Sequence, residues 1–391
     1  MSNPPIFPYA RHHLDEEDRA AVMEALSSPT ITRGPITEAF EKEVALYCDV
    51  PYAVSFNSGT SALSAAYSAL GLKSGDRVIT SPNTFIGTVA HPLSCHTPIH
   101  FCDIDRATGA LDQKLLKQLL DLNPSRASTF LLPVHYGGAP FDITQLERLI
   151  TDEKTVILED ASTALGATYP DGKRVGACHK SDITTFSLHP SKTITCGEGG
   201  ICTTADRSLY KRLLAYRNNG IRRGEELSLP SPPPWYYEVE EATGNFHLTE
   251  FQAALALSQL KKIDHFVAKR RLLVEEYRKL LAKLPNCSLL SPSDDALSSH
   301  HLMVALIDYP KHRTTRASVM ERLAKEGVMT AVHYIPLYRH PCFAKKRDEA
   351  IATLPEAELF YSQALTLPLY FDLTVEDVHT ICTALKRCLK L

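Results

Sequence analysis

The segment Thr185-Phe-Ser-Leu-His-Pro-Ser-Lys-Thr-Ile-Thr-Cys-Gly-Glu-Gly-Gly200 sets a single lysine, Lys192, among hydroxyls and ahead of a glycine-rich turn. A lysine partly buried in such a place gives up its charge readily and becomes a nucleophile able to form a Schiff base. A merely solvated lysine has no need of Phe186, His189 and the Gly-Glu-Gly-Gly run around it. Three further segments precede it. Asn57-Ser-Gly-Thr-Ser-Ala-Leu63 exposes the first backbone N–H groups of a helix, a setting that favours an anion such as phosphate, although by itself it reads equally as a helix cap. Ser81-Pro-Asn-Thr-Phe-Ile-Gly-Thr88 sets Phe85 at a strand end, where a ring could stack on a flat cofactor or simply join the core. Leu158-Glu-Asp-Ala-Ser162 ends a strand on a carboxylate, Asp160, which suits a cofactor, a metal or an N-cap. A phosphate cradle, an aromatic platform, a carboxylate and a lysine, in this order, are together the parts that pyridoxal phosphate needs.

The elements that must position these residues follow from the alternation of short apolar runs with amphipathic stretches. Strands are expected at 53–56, 77–80, 98–102, 129–134, 156–158, 183–187 and 200–203. Helices are expected at 60–70, 111–120, 142–150 and 207–216. This is the pattern of an α/β protein with a mostly parallel seven-stranded sheet covered on both faces, whose ligands collect at the C-terminal strand ends. Leu229-Pro-Ser-Pro-Pro-Pro-Trp235 reads as an extended surface loop. Beyond it come a long helical pattern over 248–284, broken near Asp264, a strand at 302–307, and helices at 317–326 and 375–389. Residues 1–249 are read as a large domain with an N-terminal arm, and 250–391 as a smaller α/β domain.

Composition narrows the function. The 42 basic and 45 acidic residues nearly cancel, which disfavours nucleic acid or an anionic membrane as partner. No apolar run reaches the roughly 20 residues of a membrane span, and the first residues lack the pattern of a signal peptide. Ten cysteines without a Cys-x-x-Cys spacing fit free thiols in the cytoplasm. His91, Cys95, His96, His100 and Cys102 suggest zinc, but the prolines at 92 and 98 and the alternation of a strand at 98–102 oppose a common ligand face, so no metal is expected. The pairs His12-His13 and His300-His301 are expected on the surface or in loops, and Lys269-Arg-Arg271 and Lys345-Lys-Arg347 on solvated helix faces.

Over nearly its whole length the chain resembles the DegT/StrS family of nucleotide-sugar aminotransferases, PLP-dependent transferases of fold type I. The resemblance rests on Ser-Gly-Thr-Ser-Ala-Leu at 58–63, Thr-Phe-Ile-Gly-Thr at 84–88, Glu-Asp-Ala at 159–161, Phe-Ser-Leu-His-Pro-Ser-Lys at 186–192 and Gly-Glu-Gly-Gly at 197–200. Gly-Asn-Phe-His-Leu-Thr-Glu-Phe-Gln-Ala-Ala at 244–254 and Val-His-Tyr-Ile-Pro-Leu at 332–337 extend it. Within the family the last motif is most similar to the aminotransferases of pseudaminic acid biosynthesis. The resemblance implies Lys192 as the Schiff-base lysine and Asp160 as the partner of the pyridine nitrogen. It also implies Phe85 and Thr163 near the cofactor ring, and Ser187 with the Gly59 and Thr60 amides on the phosphate. Asn245 would reach the phosphate of a neighbouring subunit, making a homodimer with shared sites. Tyr9, Ile31, Thr32, Arg33, Gly34, His333, Tyr334, Ile335 and Pro336, together with Gly59, Ser187 and Asn245, would meet the sugar nucleotide.

The implied reaction is amino transfer from L-glutamate to the 4-keto carbon of a UDP-linked deoxysugar, with Lys192 also moving the proton. Transfer to a dTDP- or GDP-linked sugar, or a PLP-binding regulator without activity, are the alternatives, while a sugar 3-dehydratase would carry histidine where Lys192 stands. The chain departs from the family at Thr163, where Gln or His is usual near the ring hydroxyl, and at His247, where Arg is often found. The many apolar residues of 246–260 are expected to suit a permanent interface.

Overall fold

The computed structural model describes residues 6–122, 127–223, 227–290 and 297–390. Seven strands form the main sheet: β1 (Tyr52–Phe56), β2 (Arg77–Thr80), β3 (Ile99–Phe101), β4 (Thr129–Leu132), β5 (Thr155–Asp160), β6 (Ile183–Ser187) and β7 (Gly200–Thr204). Their order is β1-β7-β6-β5-β4-β2-β3. β7 runs against both neighbours, and the other pairings are parallel. Successive side chains enter opposite layers, as the pleat requires. Val78, Phe130 and Cys202 join one core, and their neighbours Ile79, Leu131 and Ile201 the other. A sheet buried on both faces explains why these strands read as continuous apolar runs.

β8 (Ile221–Arg222) and β9 (Glu238–Val239) pair around the proline stretch, which carries an exposed Trp235. A second, antiparallel sheet has the order β10 (Cys287–Leu289), β11 (Met303–Ile307), β12 (Ala364–Leu367). β11 joins the two layers, because Val304 and Leu306 enter a core of the main sheet while Met303, Ala305 and Ile307 face the third core. The N-terminal arm lies on this second unit: Phe7 bridges Val328 and is buried among its side chains.

The expected strands and the helices at 59–69 and 207–217 are present. The long helical pattern divides into Glu250–Leu260 and Ile263–Leu281, with its break at Lys261 and Lys262, close to Asp264 as expected. The region 142–150 holds only a 3-10 turn and one α-turn, Leu146–Leu149. The helices Glu16–Leu26, Pro35–Cys48 and Gly87–Ser94 were not foreseen. The last contains Pro92, which cannot donate to Thr88; the Tyr67 hydroxyl donates to that carbonyl instead, at 2.8 Å. The apolar helix Glu250–Leu260 is sandwiched between Glu16–Leu26 and Pro35–Cys48 of its own chain. Its apolarity is thus accounted for without a partner, and that argument for an interface fails.

One surface expectation is met only in part and another is overturned. His300 and His301 do lie in a loop, one of the two settings expected, but they are 5% and 4% exposed and so are not at the surface. Arg270 is 2% exposed and donates to the carbonyls of His300, His301 and Leu369. All ten cysteines are free. Among the described residues no helix is long and apolar enough to cross a membrane, and no group of three or more metal-ligating side chains is present. His91 stacks on Tyr67, and its Nε2 is 3.5 Å from Cys95.

Candidate active site

A cavity of about 470 Å³ opens at the C-terminal ends of β5 and β6, beside the first turn of the helix Gly59–Ala69. It gathers Tyr9, Gly59, Thr60, Phe85 and Asp160 from distant parts of the chain. Thr163, Ser187, Lys192, His333 and Tyr334 complete the sequence candidates that line it. A wider hollow of about 740 Å³ lies along the helix Arg207–Arg217 and contains none of them. Size therefore does not locate the chemistry; the convergence of titratable groups with a helix N-terminus does.

The phosphate-sized end is built by close packing. Ser58 caps the helix by accepting from the Ser61 amide at 3.1 Å, and Ser61 Oγ donates to Asn57 Oδ1 at 2.6 Å, so the first amides remain available. A Cβ at Gly59 would stand 2.8 Å from Cβ of Ser187, and one at Gly200 2.2 Å from the Ser58 carbonyl oxygen. Glycine at both positions is what lets β6 and β7 press against the cradle. Phe85 is 60% exposed and lines the cavity, so it is not a core residue and its ring is open to a ligand there.

Asp160 is 4% exposed, and its carboxylate is aimed by neighbours. Thr88 Oγ1 donates to its Oδ2 at 2.6 Å, and the Ser162 amide to its Oδ1 at 3.1 Å. Behind it stands a buried network. Glu159, fully enclosed, accepts from His135 Nε2 at 2.8 Å, Tyr169 at 2.5 Å, Ser181 at 2.5 Å and Thr184 at 2.8 Å. Burial pushes the Glu159 carboxyl up, but these donors outweigh it and hold it below the usual range. His135 Nδ1 accepts from the Phe141 amide at 3.0 Å, which fixes the tautomer with the proton on Nε2.

Lys192 follows a tight turn in which its amide donates to the His189 carbonyl at 2.8 Å. Its side chain is enclosed by the protein except toward the cavity. Burial lowers its pKa to about 8, partly opposed by the Asp160 charge. Near neutrality a useful fraction of the amine is therefore uncharged. His333 and Tyr334 form the facing wall. Tyr136 donates to the His333 carbonyl, Asn83 Oδ1 accepts from the Tyr334 amide at 3.2 Å, and His333 Nδ1 pairs with Thr366 at 2.9 Å. Burial, assisted by the Lys192 charge, lowers His333 to about 4, so its ring is neutral.

Ile31, Thr32, Arg33, Gly34, Asn245, Ile335 and Pro336 do not line this cavity. Five of them stand together elsewhere. Thr32 bridges Thr249, and the buried Glu250 carboxylate accepts from the amides of Gly34, Ile36 and Thr37 at 3.0, 2.8 and 3.1 Å. That carboxylate caps the helix Pro35–Cys48 and ties residues 31–34 to the segment that carries Asn245. The Asn245 side chain is exposed; its oxygen accepts from the His247 amide at 3.3 Å. His247 pairs with Asn218 at 3.2 Å and is lowered to about 4, by burial first and then by Arg217 and Arg33. Sequence reasoning missed Thr88, Tyr136 and His301 as cavity residues; Thr88 was quoted in a motif without a role.

The fold and this cavity define a PLP-dependent transferase of fold type I. The chain matches the family described as the DegT/DnrJ/EryC1/StrS aminotransferase family over residues 12–386. It is 32% identical over 385 residues to the uncharacterized protein MJ1066 of Methanocaldococcus jannaschii, covering 97% of each. It is 32% identical over 378 residues to the UDP-4-amino-4,6-dideoxy-N-acetyl-beta-L-altrosamine transaminase of Helicobacter pylori, covering 96% of each chain. The solved structure of Helicobacter pylori PseC, an aminotransferase involved in the biosynthesis of pseudoaminic acid, superposes with a TM-score of 0.89 at 29% identity, over 98% of this chain and 99% of that one. The chain therefore belongs to the DegT/DnrJ/EryC1/StrS aminotransferase family, and it is a PLP-dependent sugar aminotransferase.

Proposed function

We propose that this enzyme transfers the amino group of L-glutamate to the 4-keto carbon of a UDP-linked deoxysugar in the cytoplasm, in the synthesis of a pseudaminic-acid-like cell-surface glycan. The observation that carries the reading is the juxtaposition of Lys192, with its lowered pKa, and the aimed carboxylate of Asp160 in one cavity with a glycine-built anion cradle. The residues fit the cofactor: the Gly59 and Thr60 amides and Ser187 would hold the phosphate, Phe85 would face the ring, and Asp160 would keep the proton on the pyridine nitrogen. Pyridoxal phosphate, when bound, supplies the electron sink for amino exchange. Lys192 attaches the cofactor and, when released, takes and returns a proton at Nζ. Tyr9, His333 and Tyr334 receive the sugar and keep water from the amine.

The active unit is a homodimer with composite sites. Ile31–Gly34 and Asn245 are absent from their own chain's cavity, yet Ile31–Arg33 and Asn245 lie together on an exposed strip, which suits delivery of Arg33 and Asn245 to the partner's anionic ligands. UDP as carrier and the altrosamine-type sugar rest on the likeness to the Helicobacter transaminase.

The test is twofold. Borohydride reduction of the holoenzyme followed by peptide mapping is expected to leave the pyridoxyl group on Lys192; label on another lysine overturns the assignment. Incubation with L-glutamate and UDP-, dTDP- or GDP-4-keto sugars is expected to release 2-oxoglutarate beyond one equivalent per site with the UDP sugar. Release only with another nucleotide corrects the carrier, and release with none leaves a cofactor-binding protein without this activity.

A further inference from the structure

The ring of His301 lines the cavity, yet neither of its nitrogens has a hydrogen-bond partner among the described residues; Nδ1 is fully enclosed. A proton on Nδ1 would be an unpaired interior donor, costing about 1–3 kcal/mol. A proton on Nε2 leaves Nδ1 an unpaired interior acceptor instead, but it alone turns the donor toward the cavity, so an acceptor bound there selects the Nε2–H tautomer. The backbone beneath is rigid. Arg270 holds the carbonyls of His300 and His301, and the Leu302 amide donates to Gly137 at 3.1 Å. A Cβ at Gly138 would lie 2.6 Å from the His301 amide nitrogen, so only glycine admits this approach. Burial first, and then the charges of Lys192 and Arg270, keep the ring neutral; the rings of His333 and His189 also stand near it.

Thr163 stands where the family resemblance expects a partner for the hydroxyl of the cofactor ring. Its own hydroxyl proton is given to the His135 carbonyl at 2.7 Å. Ser299, two residues before His301, donates to the Thr163 carbonyl at 3.1 Å, so the His301 loop is fastened to the same place.

We propose that His301 donates a hydrogen bond from Nε2 to the hydroxyl oxygen of the pyridoxal phosphate ring, the position Thr163 leaves unserved because its proton is committed to His135. This rests on the reading of Lys192 and Asp160 given above. A donor there stabilises the ionised oxygen. Removing it makes the proton shared between that oxygen and the Lys192-linked nitrogen harder to lose.

The experiment follows the visible absorbance of the cofactor-loaded enzyme against pH. His301→Leu is expected to raise the midpoint by about 1 pH unit. His301→Gln, whose amide places a donor near the Nε2 position, is expected to restore most of the shift, and Thr163→Val to leave the midpoint in place. An unmoved midpoint in His301→Leu, or an upward shift in Thr163→Val, overturns the proposal. If His301→Leu does not fold, His301→Asn, with an amide too short to reach, is read in its place. Wild-type enzyme that shows no absorbance from a Lys192-linked cofactor overturns the underlying reading, whereas normal absorbance with an unmoved midpoint overturns this inference alone.

Discussion

The cavity around Lys192 and the exposed strip of Ile31–Arg33 and Asn245 are built on opposite principles. In the cavity the polar groups are held from behind: Asp160 by Thr88 and Ser162, and the Glu159–His135 pair by Tyr169, Ser181 and Thr184. On the strip the tethering is just as firm, through Glu250 and the Thr32–Thr249 bridge, but the ends that would do chemistry reach solvent. A preorganised site needs its supports beneath it, whereas an arm that completes another chain's site needs only a fixed base. That difference is what the proposed composite site requires, with one chain supplying the reactive groups and the other part of the anion clamp.

The largest expected effect breaks or establishes that division. Lys192→Ala and Asn245→Ala homodimers are each expected to be impaired, the first to background. In mixed dimers half of the sites carry neither lesion if the sites are composite, and activity in the mixture should rise clearly above either parent. With mixed dimers demonstrated by tag pull-down, no rise would confine each site to its own chain.

Within the cavity, Asp160→Asn keeps the shape and can still accept from the Ser162 amide, with its own amide nitrogen donating to the Thr88 hydroxyl, while the charge is removed. It is expected to retain most cofactor binding and lose turnover by a factor of about 100 or more, since the charge counts most in the transition state. Rate measurement beside a cofactor titration checks this. Near-normal turnover would reduce Asp160 to an element of the Thr88–Ser162 hydrogen-bonding layer.

The two regions also differ in how they could be read from the chain. Lys192, Asp160 and Gly59 were legible because Asp160 ends β5, Gly59 begins the helix after β1, and Lys192 stands five residues past the end of β6 in a loop of unusual composition. Strand ends point to one rim in a parallel sheet, so local patterns were enough. Arg270 and His301 were misread because their burial depends on contacts remote in sequence. Arg270 sits in a basic run that looks solvated, but three carbonyls from two distant loops receive it. His301 follows Ser298-Ser-His300 with no periodicity, and is enclosed only because Gly137 and Gly138 let the two backbones meet. The strip was known only through family motifs, and nothing in its own spacing foretold that Glu250 would cap the helix beginning at Pro35.

The smallest effect tests the cavity's burden before the cofactor arrives. In the folded apoenzyme Lys192 has a pKa of about 8, against 10.5 for the free side chain, because burial disfavours its charge. Between those values the unfolded chain binds a proton that the folded chain has released, so this lysine makes stability rise with pH across the window from about 8 to 10.5. Below it the full penalty remains, up to about 3 kcal/mol. Other groups titrate in the same range, so the informative quantity is the difference between wild type and Lys192→Met in urea unfolding at a series of pH values. The variant is expected to be the more stable at pH 7 by up to that amount, with the gap closing toward pH 10.5. Asn245→Ala on the strip removes no ionisable group and should show a difference that does not vary with pH. A pH-independent difference for Lys192→Met would mean that the amine is solvated through the cavity mouth and charged in the resting protein, and the nucleophile would then owe its activation to the arriving cofactor rather than to the fold.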